Sequence, residues 1–350
     1  MTALLAREKT IILHFFIMTL MLISFASSFT GLAFAESANN NKADQIKVFE
    51  LKIRSIHSRV PIIDVEHHWG GKFSLQELAR KMDKNGVALT WLGPNEKLGD
   101  EYSLRANQSC PDYFVPTIIH GDGPLWHGKN MDLLDKIASD VRSSRYFAMG
   151  EFEARHYPSS TNDRDVHMPL TSESFKRIFS LSQETGLPFL VHHEAEDSML
   201  PEMEAMLKDY PNAKVIWCHV GRNRNPVTWS KFKTPDTVRH LLETYPNLYF
   251  DLVQSPPGSK YRLTGCVEGV VYDLSHHDVR LDSRWRQLFI DYPDRFVIGS
   301  DVNGGRWDKY DSVFQTFRDI VLSNLPRDVA EKIAFKNAWR LMTGQSWQDE

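Results

Sequence analysis

The run IIDVEHHWGG, residues 62–71, starts as a buried strand and ends in three groups that can hold a metal: Glu66, His67 and His68. Alternate residues of a strand face the same side. Glu66 and His68 therefore share one face, and His67 points the other way and reads as structural. A lone histidine at a strand end is usually an ordinary polar residue. The question is whether these groups have partners elsewhere in the chain.

Seven further short runs share the character of the first. With it they span residues 60–65, 87–92, 113–119, 146–152, 187–192, 214–219, 248–253 and 296–299, rich in Val, Ile, Phe or Tyr. Continuous apolar runs of this length suit strands covered on both faces, as in a parallel sheet. Helical patterns lie between most of them. Ser74-Leu75-Gln76-Glu77 has the form of a capping box. Leu133, Leu134, Ile137 and Val141 recur at helical spacing. Thr171–Ser174 opens a helix that Gly186 closes. Eight strands alternating with helices predict a (β/α)8 barrel. The connection over residues 93–112 is the weakest, with room for a short helix at most. An open doubly wound sheet is the alternative, but no G-x-G-x-x-G follows the first strand.

On this map the polar strand ends coincide. Glu66 and His68 end the first strand, Glu151 the fourth, His192 and His193 the fifth, and His219 the sixth. Asp251 lies in the seventh and Asp301 follows the eighth. A barrel brings all of these ends to one face, the face on which barrel enzymes place their sites.

The remainder of the chain limits the possible functions. It has 350 residues, 42% of them hydrophobic, and a formal net charge of −4, which gives no electrostatic case for nucleic acid. Arg7 and Lys9 precede an apolar run from Ile11 that ends Ala33-Phe34-Ala35, the form of a cleaved export signal. Uncleaved, the run is long enough to act as a membrane anchor. The expected division is a signal peptide over residues 1–35, an extension over 36–58 and the barrel over 59–350, in the periplasm or secreted. No later segment is apolar enough to cross a membrane. The three cysteines, Cys110, Cys218 and Cys266, are too few and too far apart for a disulfide framework; one disulfide remains open, and Cys218 reads as a small core residue.

The segments IDVEHH, PFLVHH, VIWCHVGR, LYFDLV and VIGSD, in this order, resemble the amidohydrolase superfamily of metal-dependent barrels. The similarity is greatest to its amidohydrolase-related branch, and the tail EKIAFKNAWRLMTG looks like that branch's closing helix. The resemblance covers residues 60–344 and implies hydrolases, lactonases or decarboxylases. It implies one divalent ion, zinc or else manganese, on Glu66, His68, His192 and Asp301. Imidazole nitrogen and carboxylate oxygen suit such an ion. Asp301 would move the proton of an acidified water, and His219 would donate a hydrogen bond to the substrate. The first strand departs from the usual His-x-His by carrying Glu66-x-His68, as some decarboxylases of the branch do. Glu151 stands where other branches have a bridging lysine, and would be a ligand only if a second ion is bound.

Arg222 is a candidate to pair with a substrate carboxylate and Trp69 to line a pocket. Trp126, Trp307, His120, His127, His156, His167, Arg224 and the cluster His276-His277-Asp278 are lesser candidates that fit solvated loops or packing as well. The leading expectation is hydrolysis of a small-molecule ester, lactone or amide by a chain that is on its own or a homo-oligomer. The rivals are a decarboxylase of an aromatic or unsaturated acid and an inactive barrel that only binds.

Overall fold

Ile62 and Ile63 open strand β1 (Ile62–Trp69), every residue of which is buried apart from His68. The strands β2 (Val87–Pro94), β3 (Phe114–Ile118) and β4 (Ala148–His156) are buried throughout. So are β5 (Pro188–His193) and β8 (Phe296–Val297), while β6 (Lys214–Trp217) and β7 (Leu248–Asp251) are nearly so. Each strand pairs in parallel with the next, from β1 to β8. Val65 N–H donates to the Ile298 carbonyl at 2.9 Å and His68 N–H to the Val302 carbonyl at 3.0 Å, so the eighth strand returns to the first. The protein is a parallel eight-stranded barrel with alternating helices. This computed structural model describes residues 42–95, 97–118, 123–158, 164–194, 198–220, 222, 234–253 and 255–349. The expected signal peptide, His120 and Arg224 lie outside the described residues.

The helices form where their caps allow. Helix α1 (Leu75–Asn85) starts at Ser74, whose hydroxyl accepts from Glu77 N–H while the Glu77 carboxylate accepts from Ser74 N–H. It ends at Gly86 with φ of 65°, a left-handed position that suits glycine. The connection that looked weakest holds helix α2 (Glu101–Ser109), in which only Ser103 and Ala106 are buried, so it carries almost no apolar stripe. Then follow α3 (Met131–Arg142), α4 (Glu173–Thr185), α5 (Leu200–Asp209), α6 (Pro235–Thr244), α7 (Ser283–Asp291) and α8 (Tyr310–Thr316). Aromatic contacts seat the helices on the strands. Phe179 of α4 lies 4.9 Å from Phe189 of β5, and Phe289 of α7 lies 4.8 Å from Phe296 of β8, both edge to face.

Residues 46–350 form one unit, so part of the expected extension belongs with the barrel. Residues 46–54 are helical, and Phe49 meets Phe147 at 5.4 Å. Of the described residues, no helix is long and apolar enough to cross a membrane. All three cysteines are free thiols, and Cys218 is buried. Strand β4 runs on to His156, four residues beyond the expected run over 146–152, and its outer part pairs in antiparallel with Val166–His167.

The closing segment explains the Asn in NAWRL. Asn337, 1% exposed, donates from Nδ2 to the carbonyls of Pro293 and Phe296, both at 2.8 Å, and so ties the last helix to the start of β8. Asn337→Ala leaves two carbonyls at the barrel's seam without that donor. It is expected to lower unfolding stability by about 1–3 kcal/mol, read by denaturant unfolding, with unchanged secondary structure by circular dichroism.

Candidate metal centre

The strand ends converge because β1 and the turn after β8 are tied together. The buried Asp64 carboxylate accepts from Ser300 N–H and Ser300 Oγ–H, each at 2.8 Å. The Glu66 carbonyl accepts from Asp301 N–H at 2.9 Å. These bonds put Asp301 directly beside Glu66. Gly299 permits the approach: a Cβ there would stand 2.9 Å from both Glu66 Cβ and Val253 Cγ2. Across the mouth, Asp251 Oδ1 accepts from His219 N–H at 2.7 Å and from Val253 N–H at 3.1 Å, which fixes the turn after β6. His219 and Asp301 both sit at positive φ, 59° and 48°, which is strained for non-glycine residues and tends to gather at functional sites.

Among the described residues, four overlapping groups of ligand atoms result: Glu66, His68 and Asp301; Glu151, His192 and His219; His156, His192 and Glu194; and Glu66, Cys218 and Asp251; within each, one atom per residue lies within 4.8 Å of the others. Of the four residues expected to hold a single ion, Glu66, His68 and Asp301 fall in one group, and His192 falls in two others. Glu151 and His219 stand beside it as ligand-type neighbours. His219 was expected to face substrate, but its Nε2 is turned to Glu151 Oε1 at 3.3 Å and to His192 Nδ1 at 3.1 Å.

The electrostatics are those of a cation site. Burial and the neighbouring carboxylates of Glu151, Asp251 and Asp301 hold the Glu66 pKa well above the usual carboxylate range. Neither Glu66 side-chain oxygen has a hydrogen-bond partner, although the residue is 3% exposed. Burial would also raise Asp301 and Glu151, but adjacent cations outweigh it. Arg306, His219 and His68 push Asp301 down, and His192 does so for Glu151. Burial opposes the charge on His192, yet Glu151 and Glu194 overcome it and push the pKa up to about 10. Buried carboxylate oxygens without donors are costly, and a divalent ion relieves that cost. The donor set fits one: imidazole nitrogens and carboxylates at a rim of known barrel geometry.

Other expected residues fall into place around this centre. His67 faces outward, with its ring 6.1 Å from Tyr310 of α8, and burial lowers its pKa to about 3. Trp69 is corrected: it is 2% exposed and lies on the His67 side, 6.4 Å ring to ring, so it is packing and not a pocket wall. His193 stacks on Trp217 at 5.5 Å, away from the centre. Arg222 does approach, with Nη1 3.9 Å from Asp301 Oδ2 and Nη2 3.7 Å from Glu268. Trp126 is core against Phe152 and Phe175, and Trp307 stacks on Phe73 at 4.3 Å. His127 pairs with Glu153 at 2.7 Å, His156 packs 4.8 Å from the His192 ring, and His167, His276, His277 and Asp278 are exposed.

Two residues were not expected. Arg306 forms an ion pair with Asp301 at 2.5 Å. Glu194 Oε1 lies 3.0 Å from His192 Nε2. That contact fixes the ring and leaves Nδ1 as the nitrogen facing the centre, an arrangement common around metal-bound histidines. Strand alternation gave a signal for Glu194, two residues beyond His192; nothing in the sequence marks Arg306.

A family model described as Amidohydrolase matches residues 138–342, more than half of the chain. A comparison with curated proteins found no match. The fold is similar to that of a dihydroorotase from Campylobacter jejuni, at 13% identity over 84% of this chain and 88% of that one, with a TM-score of 0.50. An amidohydrolase from Burkholderia multivorans with bound zinc aligns at 13% identity over 81% and 99%, TM-score 0.49. A dihydroxybenzoic acid decarboxylase from Polaromonas sp. JS666 with bound manganese aligns at 15% identity over 81% and 97%, TM-score 0.43.

The opposite facing of neighbouring histidines can be tested by metal content. His68→Asn is expected to lower bound metal, measured by elemental analysis after purification without chelators, because it removes a ligand nitrogen. His67→Asn is expected to keep the wild-type content. Equal losses would mean that both rings reach the centre.

Proposed function

We propose that this chain, which belongs to the amidohydrolase family, hydrolyses an ester, lactone or amide bond of a small molecule at the strand-end face of its barrel, with zinc as the divalent ion. The observation that carries the reading is the placement of Asp301. Its backbone is pinned to the Glu66 carbonyl, and its carboxylate lies 3.6 Å from His68 Nε2 and 2.5 Å from Arg306. A carboxylate held there in its ionised form is a proton acceptor at the edge of a cation site. A divalent ion bound there supplies Lewis acidity and lowers the pKa of water to near neutrality. Asp301 takes up the proton of the attacking water and returns it to the leaving group. Arg222, buried beside Asp301, pairs with the oxygen on which charge develops. Glu194 keeps the His192 ring in one orientation throughout.

The run that ends Ala33-Phe34-Ala35 supports export of the chain, and an exported enzyme suits hydrolysis better than catabolic decarboxylation. One observation favours the second reading, a non-oxidative decarboxylase: Glu66-x-His68 replaces the usual His-x-His of the first strand. In that reaction the same centre would bind a substrate carboxylate and its neighbouring oxygen.

Asp301→Asn keeps the shape of the side chain but cannot accept a proton near neutral pH. Turnover on a panel of lactones, esters, amides and phenolic acids is expected to fall by about 10²-fold or more, with folding intact by circular dichroism. Undiminished turnover would remove Asp301 from this role. Carbon dioxide released from a phenolic acid, with no hydrolysis across the panel, would favour the decarboxylase.

A further inference from the structure

Arginines that hold this fold together spend several N–H groups on separate carbonyls. Arg318 donates to Asn85 and Val60 at 2.9 Å and to Gly86 at 3.0 Å. Arg306 is anchored differently. Its guanidinium pairs with Asp301 Oδ1 at 2.5 Å and donates to the Asp301 carbonyl, and among the described residues it has no other hydrogen-bond or ion-pair partner. Its side chain is 37% exposed, against 6% for Arg222. The backbone is held separately: Arg306 N–H donates to the Asn303 carbonyl at 2.9 Å, and the Arg306 carbonyl accepts from Lys309 N–H at 3.0 Å. The side chain can therefore leave Asp301 without any rearrangement of the loop that carries it.

The oxygen that Arg306 holds is the one that faces the ligand group. Asp301 Oδ1 lies 3.6 Å from His68 Nε2, and Asp301, His68 and Glu66 have ligand atoms within reach of one ion. The other oxygen, Oδ2, is approached by Arg222 at 3.9 Å. A guanidinium against a ligand oxygen is itself a bound cation and satisfies Asp301 in the metal-free chain. It competes with a divalent ion for the same oxygen, because like charges so close repel, and repel more where burial keeps water out. Once the oxygen is given up, the guanidinium has lost its acceptor but stays at the mouth, since its backbone is fixed. A planar fork of donors at a partly exposed rim is matched by a carboxylate, which accepts two N–H bonds at once.

We propose that Arg306 is an exchangeable counter-cation: it neutralises Asp301 in the metal-free chain, yields Oδ1 to a divalent ion, and then presents its guanidinium to a carboxylate of the incoming ligand. Two consequences follow from this exchange. Metal must displace the arginine, so its apparent affinity is lower than the ligand set alone would give. A carboxylate that binds only the released guanidinium favours the metal-loaded chain, and by linkage it tightens metal by the same factor. The site then selects small molecules that carry a carboxylate apart from the bond that reacts. The proposal rests on the metal reading given above but not on the reaction assigned to it.

The test is zinc affinity, measured on the full chain at one pH by competition with a chromophoric chelator in a chloride buffer. Arg306→Gln is expected to bind Zn(II) about tenfold more tightly than the wild type, because the competing cation is gone. A gain of affinity is a readout that damage to the fold does not produce. Benzoate is then added, with benzamide as the neutral control of the same shape. Benzoate is expected to tighten Zn(II) in the wild type by about fivefold or more relative to benzamide, and to do so much less in Arg306→Gln. Zinc affinity that is unchanged or weaker in Arg306→Gln overturns the proposal. So does an equal benzoate effect in the two proteins, including none in either. Wild type that binds no zinc removes the metal reading and this proposal with it. Neither measurement uses turnover. Intact hydrolysis of the panel beside unchanged zinc affinity would leave the proposed function standing without this role for Arg306, whereas the expected affinities with no hydrolysis would remove the function and keep the exchange.

Discussion

The Asp64–Ser300 hydrogen bonds are the constraint on which the site depends. Asp64 is fully buried near the mouth of the barrel, and its carboxylate takes both the N–H and the hydroxyl of Ser300. Hydrogen bonds of this kind compensate a buried carboxylate that would otherwise carry the full cost of leaving water. They also clamp the chain after β8 against β1, so that Asp301 N–H reaches the Glu66 carbonyl and the two acids stand side by side. The same clamp closes the barrel. Closure and site assembly are one event here, because the bonds that join the first strand to the last also bring ligand residues from both ends of the chain together.

The strain of the site has the same origin. His219 and Asp301 adopt left-handed backbone, a conformation that costs non-glycine residues of order 1–3 kcal/mol each. In both cases a bond to a neighbouring strand holds the strained residue. Asp251 Oδ1 receives His219 N–H, and the Glu66 carbonyl receives Asp301 N–H. The turns cannot relax without giving up a buried hydrogen bond, so the side chains stay aimed inward. Packing further out, such as Phe289 on Phe296, holds the strands that carry these acceptors.

The barrel was legible because most of its strands are apolar on successive residues, and their ends carried the polar groups that mark the functional face. Strand β4 was legible only to Phe152. Its continuation over residues 153–156 contains Glu153 and Arg155, which look like surface residues in sequence but are buried, Glu153 paired with the partly exposed Arg164 and Arg155 with the exposed Asp165. Pairing across a tertiary contact hides such a strand from any reading of hydropathy. Helix α2 escaped for the reverse reason, since it buries too little apolar surface to show a stripe. In the site, alternation assigned His67 outward. The same rule, carried two residues further, places Trp69 beside it, and the pocket role given to Trp69 ignored that. Arg306 was not legible at all, because its approach to Asp301 depends on the path of a loop and on no periodicity.

The arrangement also has a thermodynamic consequence. The cluster of Glu66, Glu151, Asp251 and Asp301 gathers like charges in a buried place, and burial together with its neighbours raises the Glu66 pKa. Folding without cations must meet that repulsion through protonation or through ion pairs such as Arg306 with Asp301. Any cation bound by the folded chain and not by the unfolded one removes it, and binding free energy of that kind adds directly to folding stability. The Arg306 pair is then a competitor as well as a support: it stabilises Asp301 as an anion in the folded chain, yet it engages Oδ1, the same oxygen that lies 3.6 Å from His68 Nε2. How strongly the site holds metal depends on which of these two pulls on Asp301 is stronger. That balance is set by a loop arginine lying outside the ligand set.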